Sequence, residues 1–102
     1  LNANILLGYI ERAVSNLSRD LTLSLKNKIV LRLYIHLSCM VERLVTKAPM
    51  TAYDGLEEFE KEHGAFIRAF RKNFQELCAH YNVEIPLSEI AFLYDYIFSD
   101  CI

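Results

Sequence analysis

An all-α fold, a compact bundle of about five helices, is what this sequence predicts. Apolar residues recur at spacings of three and four along almost the whole chain. Only three Gly and two Pro occur in 102 residues, too few reversals for a many-stranded sandwich or barrel. The composition, 53% hydrophobic and 24% charged, is that of a globular chain rather than a disordered one.

The first helix rests on Ile5, Leu6, Tyr9, Ile10, Ala13, Val14 and Leu17, a stripe of about four turns. The polar run Asn16 to Asp20 is expected to break it. Leu23 to Val45 carries Ile29, Val30, Leu33, Leu37, Met40, Val41 and Leu44 on one broad face, which predicts the longest helix. Two such helices joined by a short polar loop form an antiparallel hairpin. Ala48-Pro49 and Asp54-Gly55 are breaker signals, so Lys47 to Glu57 is expected to be a loop. Glu57 to His63 is short and acidic and predicts a brief connecting helix, with a bend at Gly64. Phe66, Ile67, Phe70, Phe74, Leu77 and Cys78 set a fourth helical period to about Tyr81, with Arg68, Arg71 and Lys72 on its wet side. After a connection over Asn82 to Ile85, Pro86 suits a first helical turn, and Glu89 lies near the same positive helix end. Ile90, Phe92, Leu93, Tyr96 and Ile97 complete the last helix. The expected architecture is two antiparallel helix pairs plus the short connecting helix, forming one domain over residues 1–102.

A net charge of −2 disfavours direct nucleic-acid binding, which needs clustered Lys and Arg to neutralise phosphates. No apolar run approaches the roughly 20 residues that span a bilayer. Cys39, Cys78 and Cys101 are widely spaced with no CxxC pair, so neither a disulfide framework nor a zinc site is suggested. Two of them fall in predicted helices and are expected to be small core residues. A reducing cytoplasm is the expected location. The first residue is Leu and no signal peptide is visible, so the chain is expected to be a piece of a longer protein.

No phosphate-cradling Gly loop, nucleophile elbow, zinc-protease motif or calcium loop occurs, and no cofactor or metal is implied. Of three histidines, His63 sits at a break and His80 near a helix end, where solvated or capping roles are expected. The acidic residues Glu57, Glu58, Glu60 and Glu62 are expected to be a solvated face. Most aromatics lie at core spacing, while Tyr94 and Asp95 fall off the main stripe and are candidates to face a partner.

His36 is different. At about 100° per residue, Ile29, Met40 and Leu33 fall roughly 20–60° to one side of it, and Arg43 and Arg32 roughly 20–40° to the other. The ring therefore lies on the border of the buried stripe, with one guanidinium a turn before it and one two turns after. That arrangement suits a histidine that receives a phosphoryl group: a neutral imidazole nitrogen attacks, and the guanidinium groups hold the dianion by charge-assisted bonds. The plain alternative is a boundary histidine beside ordinary surface arginines, whose stems bury while their heads stay wet.

The segment Leu33-Tyr34-Ile35-His36-Leu37-Ser38-Cys39-Met40-Val41-Glu42-Arg43-Leu44 resembles the signature of the PTS regulation domain (PRD), in which a helix carries a histidine and, seven residues on, an arginine. Phe70-Arg71-Lys72-Asn73-Phe74 and then Ile85-Pro86-Leu87-Ser88-Glu89-Ile90-Ala91-Phe92-Leu93 are similar to the stretch leading into that domain's last helix. The resemblance implies a five-helix module, often homodimeric, inside bacterial transcription antiterminators and activators. Components of the sugar phosphotransferase system phosphorylate its histidines. His36 matches the first family histidine and Arg43 the accompanying arginine. The family usually places a second histidine in the last helix, where this chain has Tyr96, so one acceptor is expected. A single-histidine copy is similar to the C-terminal one of levanase-operon-type, sigma-54-dependent activators.

The function expected is therefore a phosphorylation-controlled regulatory domain of sugar utilisation and not an enzyme, with His36 as phosphoacceptor and Arg43 and Arg32 as phosphate-stabilising groups. Its expected partners are a phosphocarrier of the enzyme IIB or HPr type and a second copy of the chain. The alternative is a purely structural helical dimerisation module without phosphotransfer.

Overall fold

The computed structural model describes residues 1–98. Cys101, one of the three thiols, lies outside them. Six helices and no strands occur among the described residues: α1 (Ala3–Asp20), α2 (Asn27–Val45), α3 (Leu56–Glu62), α4 (Gly64–Asn73), α5 (Gln75–Tyr81) and α6 (Leu87–Phe98).

Local chemistry sets the boundaries. Asn2 caps α1, its Oδ1 accepting from the Ile5 N–H at 3.2 Å. The polar run Asn16 to Asp20 does not break this helix. Leu17 continues the buried stripe, and Asp20 accepts from Lys72 Nζ (3.3 Å) and Asn73 Nδ2 (3.0 Å) of α4. The break comes later, where Thr22 turns to φ 53° and the Leu23 N–H bonds the Ser18 carbonyl at 2.8 Å. The long second helix consequently starts at Asn27 rather than Leu23. At its far end Thr46 Oγ1 donates to the Glu42 carbonyl at 2.9 Å, and Lys47 adopts φ 62°. Gly55 precedes α3 at φ 80°, a conformation a side chain would strain, and Glu57 and Glu58 then favour the positive end of the helix.

The expected fourth helix is two. A joint at Phe74 (φ −101°, ψ 5°) separates α4 from α5, although the hydrogen bonds Phe74 N–H to Phe70 and Cys78 N–H to Phe74 still run in the helical sense. Asn73 draws the chain aside by donating to both the Ala69 carbonyl and Asp20. The joint keeps Phe70, Phe74 and Leu77 all buried, with the two phenyl rings stacked at 4.1 Å. Periodicity cannot show a break of this kind, because the apolar spacing passes through it. Asn82 ends α5 in the left-handed region at φ 53°. Pro86 then opens α6, its carbonyl accepting from Glu89 and Ile90.

α1 lies against α2, α4 and α5, while α6 lies against α2, α3 and α4, and α3 also meets α4. The first hairpin pairs as expected, but α4 rests chiefly on α1 and α6 chiefly on α2. The core between them includes Ile10, Leu33, Leu37, Val41, Phe70, Phe74 and Ile90. Each buried large side chain contributes roughly 1.5–3 kcal/mol. Phe70→Ala is expected to destabilise the domain by about 3–5 kcal/mol, and Glu60→Ala on the exposed face by less than about 0.5. Equilibrium urea unfolding of the two variants checks this.

Candidate functional site

α2 and α6 meet along a cleft of about 330 Å³ whose walls include His36, Arg43, Met50, Glu89 and Tyr96, over an apolar floor of Met40 and Leu93. His36 is half-buried on α2, its ring 3.9 Å from that of Tyr96 and tilted by 44°. The helical wheel's placement of this histidine on the border of the stripe holds. Burial pushes its pKa below the ordinary imidazole value, and the charges of Arg43 and then Arg32 push it in the same direction. The ring is therefore neutral at pH 7, with one nitrogen lone pair available.

The two arginines differ. Arg43 lines the cleft and is already engaged: Nε donates to Glu89 Oε2 at 3.3 Å and Nη2 to Oε1 at 2.7 Å. Arg32 is exposed and stands outside the cleft, acting on His36 only through its charge. Glu89 is 2% exposed, and its Oε2 also accepts from the Met50 N–H at 2.9 Å. Ser88 Oγ donates to the Met50 carbonyl at 2.6 Å, and the Tyr53 hydroxyl donates to Asp95 at 2.7 Å. Burial and the Asp95 carboxylate push the Tyr53 pKa up to about 12, so the hydroxyl keeps the proton it donates across the physiological range. The connection between α2 and α3 is thus fastened to α6 at Ser88, Glu89 and Asp95.

Glu89 is the site residue that sequence reasoning undervalues. Its place in a first helical turn is real, but its main role is to satisfy Arg43 and Met50. The available signal was an acidic residue embedded in the apolar run from Ile85 to Leu93. Tyr96, expected as part of the last helix's apolar period and as a replacement for a histidine, is the ring packed on His36.

The other candidates do not converge on the cleft. His80 is exposed, with Nδ1 3.1 Å from the Tyr9 hydroxyl. His63 is half-buried against Phe59 and Tyr94. Tyr94 is half-buried and packs on Phe59, Phe66 and Phe98, because the short α3 brings its aromatic residue over α6, while Asp95 is exposed. Cys39 is exposed rather than in the core, since it falls on the outer face of α2, while Cys78 is half-buried. The acidic residues of α3 are solvated. Among the described residues no three His, Cys, Asp or Glu side chains gather as a metal site, and no helix is long and apolar enough to cross a membrane.

A family model, the PRD domain, matches residues 11–100, a span that contains α2, the cleft and all of α6. The chain belongs to the PRD family. No curated protein and no solved structure matches it. PRD domains are regulatory modules rather than catalytic ones, and they are regulated by components of the phosphotransferase system. Of the three stretches that carry the resemblance, residues 33–44 on α2 and 85–93 at the start of α6 form the two walls of the cleft, while residues 70–74 lie at the end of α4, outside it.

Two measurements check the electrostatics. An NMR titration of the His36 ring is expected to give a midpoint below that of an unstructured histidine peptide. Because the unfolded chain binds this proton more readily, stability is expected to fall as pH drops from neutral through the ordinary imidazole range, levelling once folded His36 is protonated too. His36→Gln removes that contribution. Arg43→Ala strands a buried carboxylate and is expected to cost roughly 2–4 kcal/mol, below the fully buried limit because the guanidinium is partly wet. Arg32→Ala is expected to cost less than about 0.5 kcal/mol, and thermal unfolding of both variants tests the contrast.

Proposed function

We propose that this PRD domain is a phosphorylation-controlled regulatory module of a bacterial transcriptional regulator of sugar utilisation, and that His36 is its phosphoacceptor. The observation that carries the reading is a neutral, half-buried imidazole bordering an open cleft, with a guanidinium in the same wall. A phosphocarrier of the phosphotransferase system, of the enzyme IIB or HPr type, is the donor. The unprotonated His36 nitrogen attacks phosphorus, the bond from phosphorus to the donor breaks, and its electron pair stays on the donor. The ring proton on the other nitrogen is then free to leave to solvent. The product adds about −1.5 to −2 charges in the cleft, where Arg43 is placed to grip it and Arg32 stabilises it from outside through its charge.

Tyrosine cannot replace a second phosphohistidine, so Tyr96 leaves one acceptor. This supports a parent of the levanase-operon, sigma-54-dependent type, with residues 1–102 as one domain of a longer cytoplasmic chain. Leu31 and Ile35, 63% and 55% exposed on α2 beside His36, support self-association across the same helix. Phosphorylation then changes the charge next to a contact between two copies, and two-fold symmetry doubles the effect.

Incubation with a reconstituted phosphotransferase cascade is expected to label the native chain and leave His36→Ala unlabelled. Full labelling of the variant rejects His36 as acceptor. An unlabelled native chain, with association unchanged by the donor, points to the purely structural dimerisation module.

A further inference from the structure

Glu89 belongs to two interactions at once. The carboxylate that pairs with Arg43 is also the acceptor for the Met50 N–H, so the cation of the cleft and the backbone of the α2–α3 connection share one buried anion. The charges are balanced as they stand: Arg43 and Glu89 form a neutral pair in the cleft wall. A phosphoryl group on the His36 ring, which lines the same cleft, upsets that balance. It brings nearly two negative charges to a space whose one cation is already committed. Arg32, the other guanidinium acting on the ring, is exposed and too well solvated to restore neutrality inside the cleft.

Glu89 has little freedom to respond. At 2% exposure it cannot turn to water without moving the backbone around it. A like charge nearby and a guanidinium drawn away both raise the cost of keeping the carboxylate where it is. The remaining contacts of the connection to α6 are neutral or peripheral: Ser88 to the Met50 carbonyl, Tyr53 to Asp95, and the Tyr53 ring edge-on to Phe92. Met50 itself has an exposed side chain, and residues 46–52 carry little buried surface, so the Glu89 bond is the anchor most sensitive to charge.

We infer that phosphorylation of His36 releases the connection between α2 and α3, residues 46–55, by setting a dianion against the buried Glu89 carboxylate in competition for Arg43. The inference rests on His36 as the phosphoacceptor and specifies how that site is read. The signal leaves the cleft through the backbone of the connection, which the phosphate does not touch.

Amide hydrogen exchange at Met50, followed by NMR in the native chain before and after phosphorylation by the cascade, tests it. Exchange is expected to quicken by an order of magnitude or so on phosphorylation. Glu89→Gln keeps an oxygen that can accept the Met50 N–H but carries no charge to repel, so its response to phosphorylation is expected to be less than about threefold. Unchanged or slowed exchange at Met50 in labelled native protein overturns the inference and leaves the phosphoacceptor reading standing. An equal response in Glu89→Gln also overturns it, because the carboxylate charge is then irrelevant. Absence of label on His36 removes both together. The native comparison decides the matter by itself if the variant does not fold.

Discussion

A carboxylate with 2% exposure must be satisfied where it lies, and the packing of α2, α6 and the segment between them follows from how Glu89 is satisfied. Two guanidinium N–H groups come from α2 and a backbone N–H from Met50. If α2 slid by one turn relative to α6, the first two would be lost and the carboxylate left uncompensated. The pair contributes little net stability against a hydrophobic alternative, because both ions lose hydration, but it penalises every other register heavily. That asymmetry fixes the geometry of the cleft between α2 and α6.

The cleft's chemistry is a consequence of this clasp. Arg43 is oriented by Glu89 and not by solvent, so its charge is held in the same wall as His36. Burial and positive charge act in the same direction on the imidazole, and both keep it unprotonated. A surface histidine alone would be partly protonated near neutrality and a poorer nucleophile. In the proposed function the same features that keep the ring neutral also receive the product, since cations that disfavour an imidazolium favour a phosphate dianion.

Tyr96 completes the site from the other helix. Family resemblance assigns its position to a second histidine, and in this chain that position is in ring contact with His36. An aromatic ring there shields one face of the imidazole. The exposed aliphatic residues Leu31 and Ile35 lie on the outward side of the same helix, so the proposed chemistry and the proposed association occupy adjacent strips of α2.

The helical class, the buried stripe of α2 and the border position of His36 were all legible in the sequence, because periodicity is a local property of backbone geometry and 3.6-residue spacing reports it directly. So was the family, since the residues that carry the resemblance are contiguous within three short segments. Local pattern misled where tertiary contacts took over: the polar end of α1 stays helical through Asp20's partners on α4, and one apolar period became α4 and α5 at Phe74. Which arginine is committed, what satisfies Glu89 and what lies on the His36 ring were decided only by the folded chain. Arg43 and Met50 stand 46 and 39 residues from Glu89, and no spacing rule reaches across such separations. Pairings of that kind exist only once helix packing has brought the two walls together.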